Sequence, residues 1–251
     1  MEAYIFIFIA AALFSGQFVF SKLYERNSES SLISNIWMSE FYGLWLVVIF
    51  FCAAGFTVNI SGKSWMFAIL NSLTNIICTA ASIGAYRLGK MSTVTLYTLI
   101  GGQAVPFVFG IMTGSRPSIL CYIGFAIMLI SFIPGVLFAP KEESGGKSKL
   151  PFYLLCTVTF FSNGFVSVIT DLKAKQDSAT SSSDFLVATG ICTLALSAAV
   201  ITVLGLIKVQ KGESIKKAFF SKINKKAAFV PVLFSFTLVG LYTAFNGIAN
   251  I

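Results

Sequence analysis

Eight stretches of this 251-residue chain contain no Asp, Glu, Lys or Arg: Ala3–Ser21, Phe41–Gly62, Ser64–Tyr86, Met91–Ser115, Pro117–Pro140, Leu150–Thr170, Phe185–Ile207 and Ala227–Ile251. Each is 19 to 25 residues long. A helix rising about 1.5 Å per residue needs about 20 residues to cross the hydrocarbon core of a bilayer. Only 11% of the residues are charged and 56% are hydrophobic, whereas a soluble domain carries about 25% charged residues on its surface. The chain cannot cover a water-facing surface of ordinary size. It reads as an all-α, polytopic membrane helix bundle of eight spans joined by short polar links.

Composition excludes several chemistries. There is no His, and the five cysteines (Cys52, Cys78, Cys121, Cys156, Cys192) fall inside apolar runs without a CxxC pair. A zinc site or disulfide framework is therefore not expected. No P-loop, GxGxxG after a strand or GxSxG occurs, and no soluble segment is long enough for a catalytic domain. The expectation is a protein that is not an enzyme and uses no cofactor or metal. The first run lacks a basic n-region and is too long for the apolar core of a signal peptide, so it reads as a span.

Net charge is +8, but the basic residues lie between spans, a pattern of membrane orientation rather than nucleic-acid binding. The links after spans 1, 3, 5 and 7 hold 14 Lys and Arg, and the opposite side holds 4. By the positive-inside rule the N-terminus is then external. Half of that bias comes from the link Lys208–Lys226. There Ile215, Phe219 and Ile223 recur every four residues, with Lys216, Lys217 and Lys222 directed elsewhere. Two readings stand side by side: an amphipathic helix lying on anionic lipid headgroups, and a solvated basic loop.

Phe14-Ser15-Gly16-Gln17-Phe18-Val19 recurs as Phe161-Ser162-Asn163-Gly164-Phe165-Val166, an offset of 147. Each copy sits in the first helix of its half and is followed by a Ser-rich link and a second helix. Five spans in the first half put the second copy in the opposite orientation, an inverted repeat of the kind used by transporters. The expected division is residues 1–139 for a first five-helix repeat, 140–150 for a linker, and 151–251 for a second repeat holding three spans. On this pattern the second copy is incomplete, and two further spans would give ten helices in about 300 residues.

Leu88–Phe138 carries Met91-Ser92-Thr93-Val94 leading into a helix with Gly101, Gly102 and Pro106. The turn Gly114-Ser115-Arg116-Pro117-Ser118 follows, then Tyr122-Ile123-Gly124-Phe125 and a last helix containing Gly135. This stretch resembles the end of an EamA-like repeat of the drug/metabolite transporter superfamily, with Ser115 standing where the family commonly has Glu. The resemblance implies ten helices, an inverted five-helix repeat and cytoplasmic termini. The last point is the opposite of the loop count.

A carrier holds its solute with polar groups near the membrane midplane. Span 3 offers Asn71, Asn75, Cys78, Ser82 and Tyr86 on one helix face. A shift of 164 places Ser235, Val239, Tyr242, Asn246 and Asn250 on the equivalent face of span 8. Span 1 adds Gln17 and its repeat partner region Asn163. Span 4 adds Tyr97 and Gln103, the latter three residues before Pro106, which frees the Gly102 carbonyl. The candidate solute-binding residues are therefore Gln17, Asn71, Asn75, Tyr97, Gln103, Asn163, Tyr242 and Asn246. The competing reading of the same residues is interhelical packing and hydrogen bonding. Glu40, between Trp37 and Trp45, is read as either a proton-coupling carboxyl or a headgroup-level residue of the aromatic belt, with the belt favoured.

The function expected is a secondary transporter in the cell membrane that moves a small polar metabolite, such as an amino acid, by alternating access. The alternative is a non-transporting membrane protein or truncated remnant acting as an assembly partner. Both a single chain and a dimer satisfy the sequence.

Overall fold

The computed structural model describes residues 2–29, 31–137, 150–212, 214–215, 219, 229–234 and 237. These form seven long helices, α1 (Glu2–Asn27), α2 (Leu32–Ala53), α3 (Gly62–Leu88), α4 (Met91–Met112), α5 (Ile119–Leu137), α6 (Leu150–Gln176) and α7 (Ser182–Gln210). No strand occurs among the described residues. Helices α2, α3, α4, α6 and α7 are each long and apolar enough to cross a membrane. The protein is an all-α, multi-pass helix bundle. Of the expected eighth span, residues 229–234 and 237 are helical, and the rest, with Tyr242 and Asn246, lies outside the described residues.

The second helix departs from the uncharged stretch that announced it. It runs nine residues earlier than Phe41–Gly62 and so takes in Glu40. Local chemistry sets both ends. At the start, the Ser31 hydroxyl accepts from the Ser34 amide at 3.0 Å, which satisfies one of the amides that a first turn leaves open. At the end, Gly55 takes φ +66°; its amide donates to Cys52 O and the Phe56 amide donates to Phe51 O, both at 3.1 Å. This is the Schellman stop, and its usual apolar contact is present, the Phe51 and Phe56 rings lying 5.5 Å apart. Replacing Ser31 with alanine is expected to cost about 1 kcal/mol, read as a lowered unfolding midpoint in detergent. Gly114 ends α4 in the same way, with φ +89° and the Ser115 amide donating to Gly110 O at 2.9 Å.

The helices pack as two units that cut across the halves of the sequence. The first comprises residues 1–72 and 179–251. Its centre is the crossing of α2 with α7. Ile33 and Ile36 pack on Ile201, Glu40 meets Ser197, Gly43 meets Gly190 and Thr193, and Leu46 and Phe50 pack on Val187. Rising numbers on α2 meet falling numbers on α7, so the two helices are antiparallel. The Tyr24 hydroxyl of α1 donates to Ser34 O at 2.6 Å, and the Tyr42 ring meets Phe234 edge-on at 5.6 Å. From the basic link, Phe219 packs against Gly205 and its carbonyl accepts from the Trp37 indole at 3.2 Å. Ile215 stays exposed; most of that link lies outside the described residues.

The second unit is residues 73–178, centred on α4 and α6. Here numbers rise together: Gly89 faces Phe152, Gly101 faces Phe160, and Val105 faces Gly164, so these helices are parallel. Small residues let the backbones approach closely. A Cβ built on Gly101 would lie 2.1 Å from the Phe160 carbonyl oxygen, and one on Gly164 would lie 2.7 Å from the Gly101 oxygen. The closest face of α4 is thus Gly101–Val105. Ala85, Tyr86, Val94 and Cys156 form the apolar cluster beside it. Helix α5 turns Ile119, Leu120, Ile127 and Ile130 outward, as a lipid-facing helix requires.

Candidate functional site

In a bundle held mostly by apolar contact, buried polar side chains are the informative ones. The first unit gathers most of them on α2, α3 and α7. On α7, Thr189, Thr193 and Ser197 follow one another at four-residue spacing and are all buried. Each hydroxyl lies within hydrogen-bond reach of the carbonyl four residues earlier, at 2.9, 2.8 and 2.6 Å. The Ser72 hydroxyl of α3 donates to Thr189 O at 2.8 Å, which seats that turn of α3 on α7. The α7 face toward its neighbours is therefore polar yet uncharged.

Among the buried side chains of this unit with a polar atom that has no partner among the described residues are Gln17 Nε2 on α1, Ser39 Oγ on α2 and Asn71 Oδ1 on α3. They are 8%, 2% and 5% exposed. A buried amide left unpaired costs about 1–3 kcal/mol. A bundle retains such groups where water or a polar solute completes them.

The helix boundaries place Glu40 near the middle of α2. It lies about 4 Å from the midpoint of α2, counting about 1.5 Å per residue. It meets the hydroxyl of Ser197, one residue from the midpoint of α7. It is the sole charged residue of α2. The sequence signal that was missed is the pairing of Ser31 and Gly55 as helix ends, which centres the span on Tyr42 and Gly43.

The remaining predicted residues separate by role. Asn163 on α6 donates through Nδ2 to Thr98 O of α4 at 2.8 Å. Gly102 makes room for it, since a Cβ there would lie 2.5 Å from that nitrogen. Tyr97 packs beside the apolar cluster of the second unit. Gln103 is exposed and Asn75 half-buried. Cys78 and Ser82 both approach Thr159 of α6, Ser82 Oγ at 3.5 Å from the Thr159 hydroxyl. So the span 3 stripe is buried at Asn71, Cys78 and Tyr86 and half-buried at Asn75 and Ser82, and within the second unit Cys78 and Ser82 serve helix contact. A cavity of about 410 Å³ in the first unit, walled by Phe51, Ile60, Trp65, Val187 and Ile191, is apolar and contains none of the predicted residues.

Fold and site together define a class: a multi-pass helical membrane protein with a polar, uncharged interior face and one carboxyl at mid-helix depth. No family model matches the chain, and no curated protein matches it.

Proposed function

We propose that this protein is a secondary carrier of the cell membrane that moves a small polar, neutral or zwitterionic metabolite by alternating access. The observation that carries the reading is the set of buried polar atoms on Gln17, Ser39 and Asn71 that have no partner among the described residues and so offer a donor and acceptors to a desolvated solute. The resemblance of Leu88–Phe138 to an EamA-like repeat supports it. So does a coincidence of register. At the offset of 147 that relates the two hexamers, Gly43 falls on Gly190. These two glycines meet at the antiparallel α2–α7 crossing, each Cβ position lying 3.1–3.2 Å from the other's carbonyl oxygen. Such reciprocal contact is what a two-fold relation between equivalent helices produces. Alternating access then consists of one repeat rocking against the other.

The test is reconstitution in liposomes with a panel of amino acids, sugars and nucleosides. Saturable uptake of at least one solute is expected. Absence of saturable uptake across the panel, with stable co-purification of another membrane protein, would overturn the carrier reading in favour of an assembly partner.

A further inference from the structure

Glu40 and Ser197 meet where the midpoints of two long apolar helices cross. Neither α2 nor the stretch Phe185–Ile207 of α7 contains a Lys or Arg, and among the described residues Glu40 has no ion-pair partner. An ionised carboxylate held at this depth without a counter-ion is costly. Its hydrogen bonding shows how the cost is met. The Ser197 oxygen lies within reach of both Glu40 Oε2 and the Thr193 carbonyl oxygen, the latter at 2.6 Å. A hydroxyl has a single hydrogen and a carbonyl has none. When the hydroxyl donates to Thr193 O, the contact with Glu40 is complete only if the carboxyl carries a proton and donates it to Ser197. When the carboxyl is ionised, the hydroxyl must turn to donate to it. The two protonation states thus correspond to two settings of one hydroxyl.

We propose that Glu40 and Ser197 form a proton-binding site at the α2–α7 crossing, and that proton exchange there drives solute movement. The second clause rests on the carrier reading; the first does not. The only bond made or broken is the carboxyl O–H, with the proton taken up from one side and released to the other. Other titratable groups on the packed elements are Tyr42 and Cys52 on α2 and Asp184, Cys192 and Lys208 on α7. Lys22, Tyr24 and Glu25 lie at the end of α1, where Lys22 and Glu25 pair with each other at 2.8 Å.

The experiment is infrared difference spectroscopy on the purified full chain through a pH jump, joined to uptake into liposomes with an imposed pH gradient. A protonated-carboxyl stretch is expected that E40Q abolishes, that Ser197→Ala shifts, and that Glu25→Gln leaves in place. E40Q is expected to lose at least tenfold of gradient-driven accumulation, with E40D keeping part of it. If the carboxyl band survives in E40Q, the site is wrong. If the band is lost but wild-type accumulation follows a sodium gradient and ignores pH, the coupling is wrong while the site stands. If no solute is taken up by any variant and the band still depends on Glu40, the carrier reading fails and the proton site remains.

Discussion

Replacing Gly101 with valine is expected to separate α4 from α6 and to cost about 3 kcal/mol or more, at or beyond the upper end of ordinary overpacking. The reason is what the new side chain meets. A Cβ at Gly101 would lie 2.1 Å from the Phe160 oxygen and 2.7 Å from its carbonyl carbon and Cα. These are backbone atoms in the middle of a helix, so no rotamer change relieves the clash. The helices must move apart, and the Val94–Cys156 cluster and the Asn163–Thr98 hydrogen bond stretch with them. Gly124 on α5 is the matched control. A Cβ there meets nothing within 4 Å, and alanine is favoured over glycine in a helix by about 1 kcal/mol, so Gly124→Ala is expected to be neutral or stabilising. Unfolding midpoints in detergent for the two variants check both signs. A Gly101→Val protein as stable as its parent would refute the close crossing.

Asn71→Leu is expected to lower solute uptake at least tenfold while leaving stability unchanged or raised. The opposite signs come from one atom. Asn71 Oδ1 is buried with no partner among the described residues, so removing it relieves a desolvation cost of about 1–3 kcal/mol. If the same oxygen receives a hydrogen bond from solute, its loss weakens binding by about 1.4 kcal/mol for each tenfold. Asn163→Leu should show the reverse pattern. Its amide is spent on Thr98 O, and interhelical hydrogen bonds in membranes average about 0.6 kcal/mol. A small loss of stability with uptake retained is therefore expected. Liposome uptake and thermal unfolding on the same two variants separate a solute ligand from a packing group. Uptake unaffected in Asn71→Leu would remove Asn71 from the site.

The candidate site was legible in the sequence as helix faces, without the partners that stand opposite them. The three- and four-residue spacing in span 3 groups its polar residues on one helix face. Spacing alone does not say whether an amide on that face meets solute or a neighbouring helix. Asn71 and Asn163 are the same chemistry, and they differ in what stands opposite: no described partner in one case, the Thr98 carbonyl in the other. Gln103 has the right neighbours, Gly102 and Pro106, but is exposed. The 4, 3, 4 spacing of polar residues that oriented span 3 is missing from span 4. Its rotation is set by Gly101 seating on Phe160.

From its residues alone, the chain determined that it is a bundle of membrane-crossing helices, because long uncharged runs have no other way to satisfy both lipid and their own backbone. Helices α3, α4 and α6 begin within two residues of those runs. Where caps and charge disagree, as at α2, the backbone hydrogen bonds of Ser31 and Gly55 prevail, since an open helix end is fixed by local geometry and a single carboxyl can find a partner elsewhere. Only the tertiary structure supplied that partner. Glu40 and Ser197 are 157 positions apart, and no periodicity within either helix encodes the crossing that brings them together.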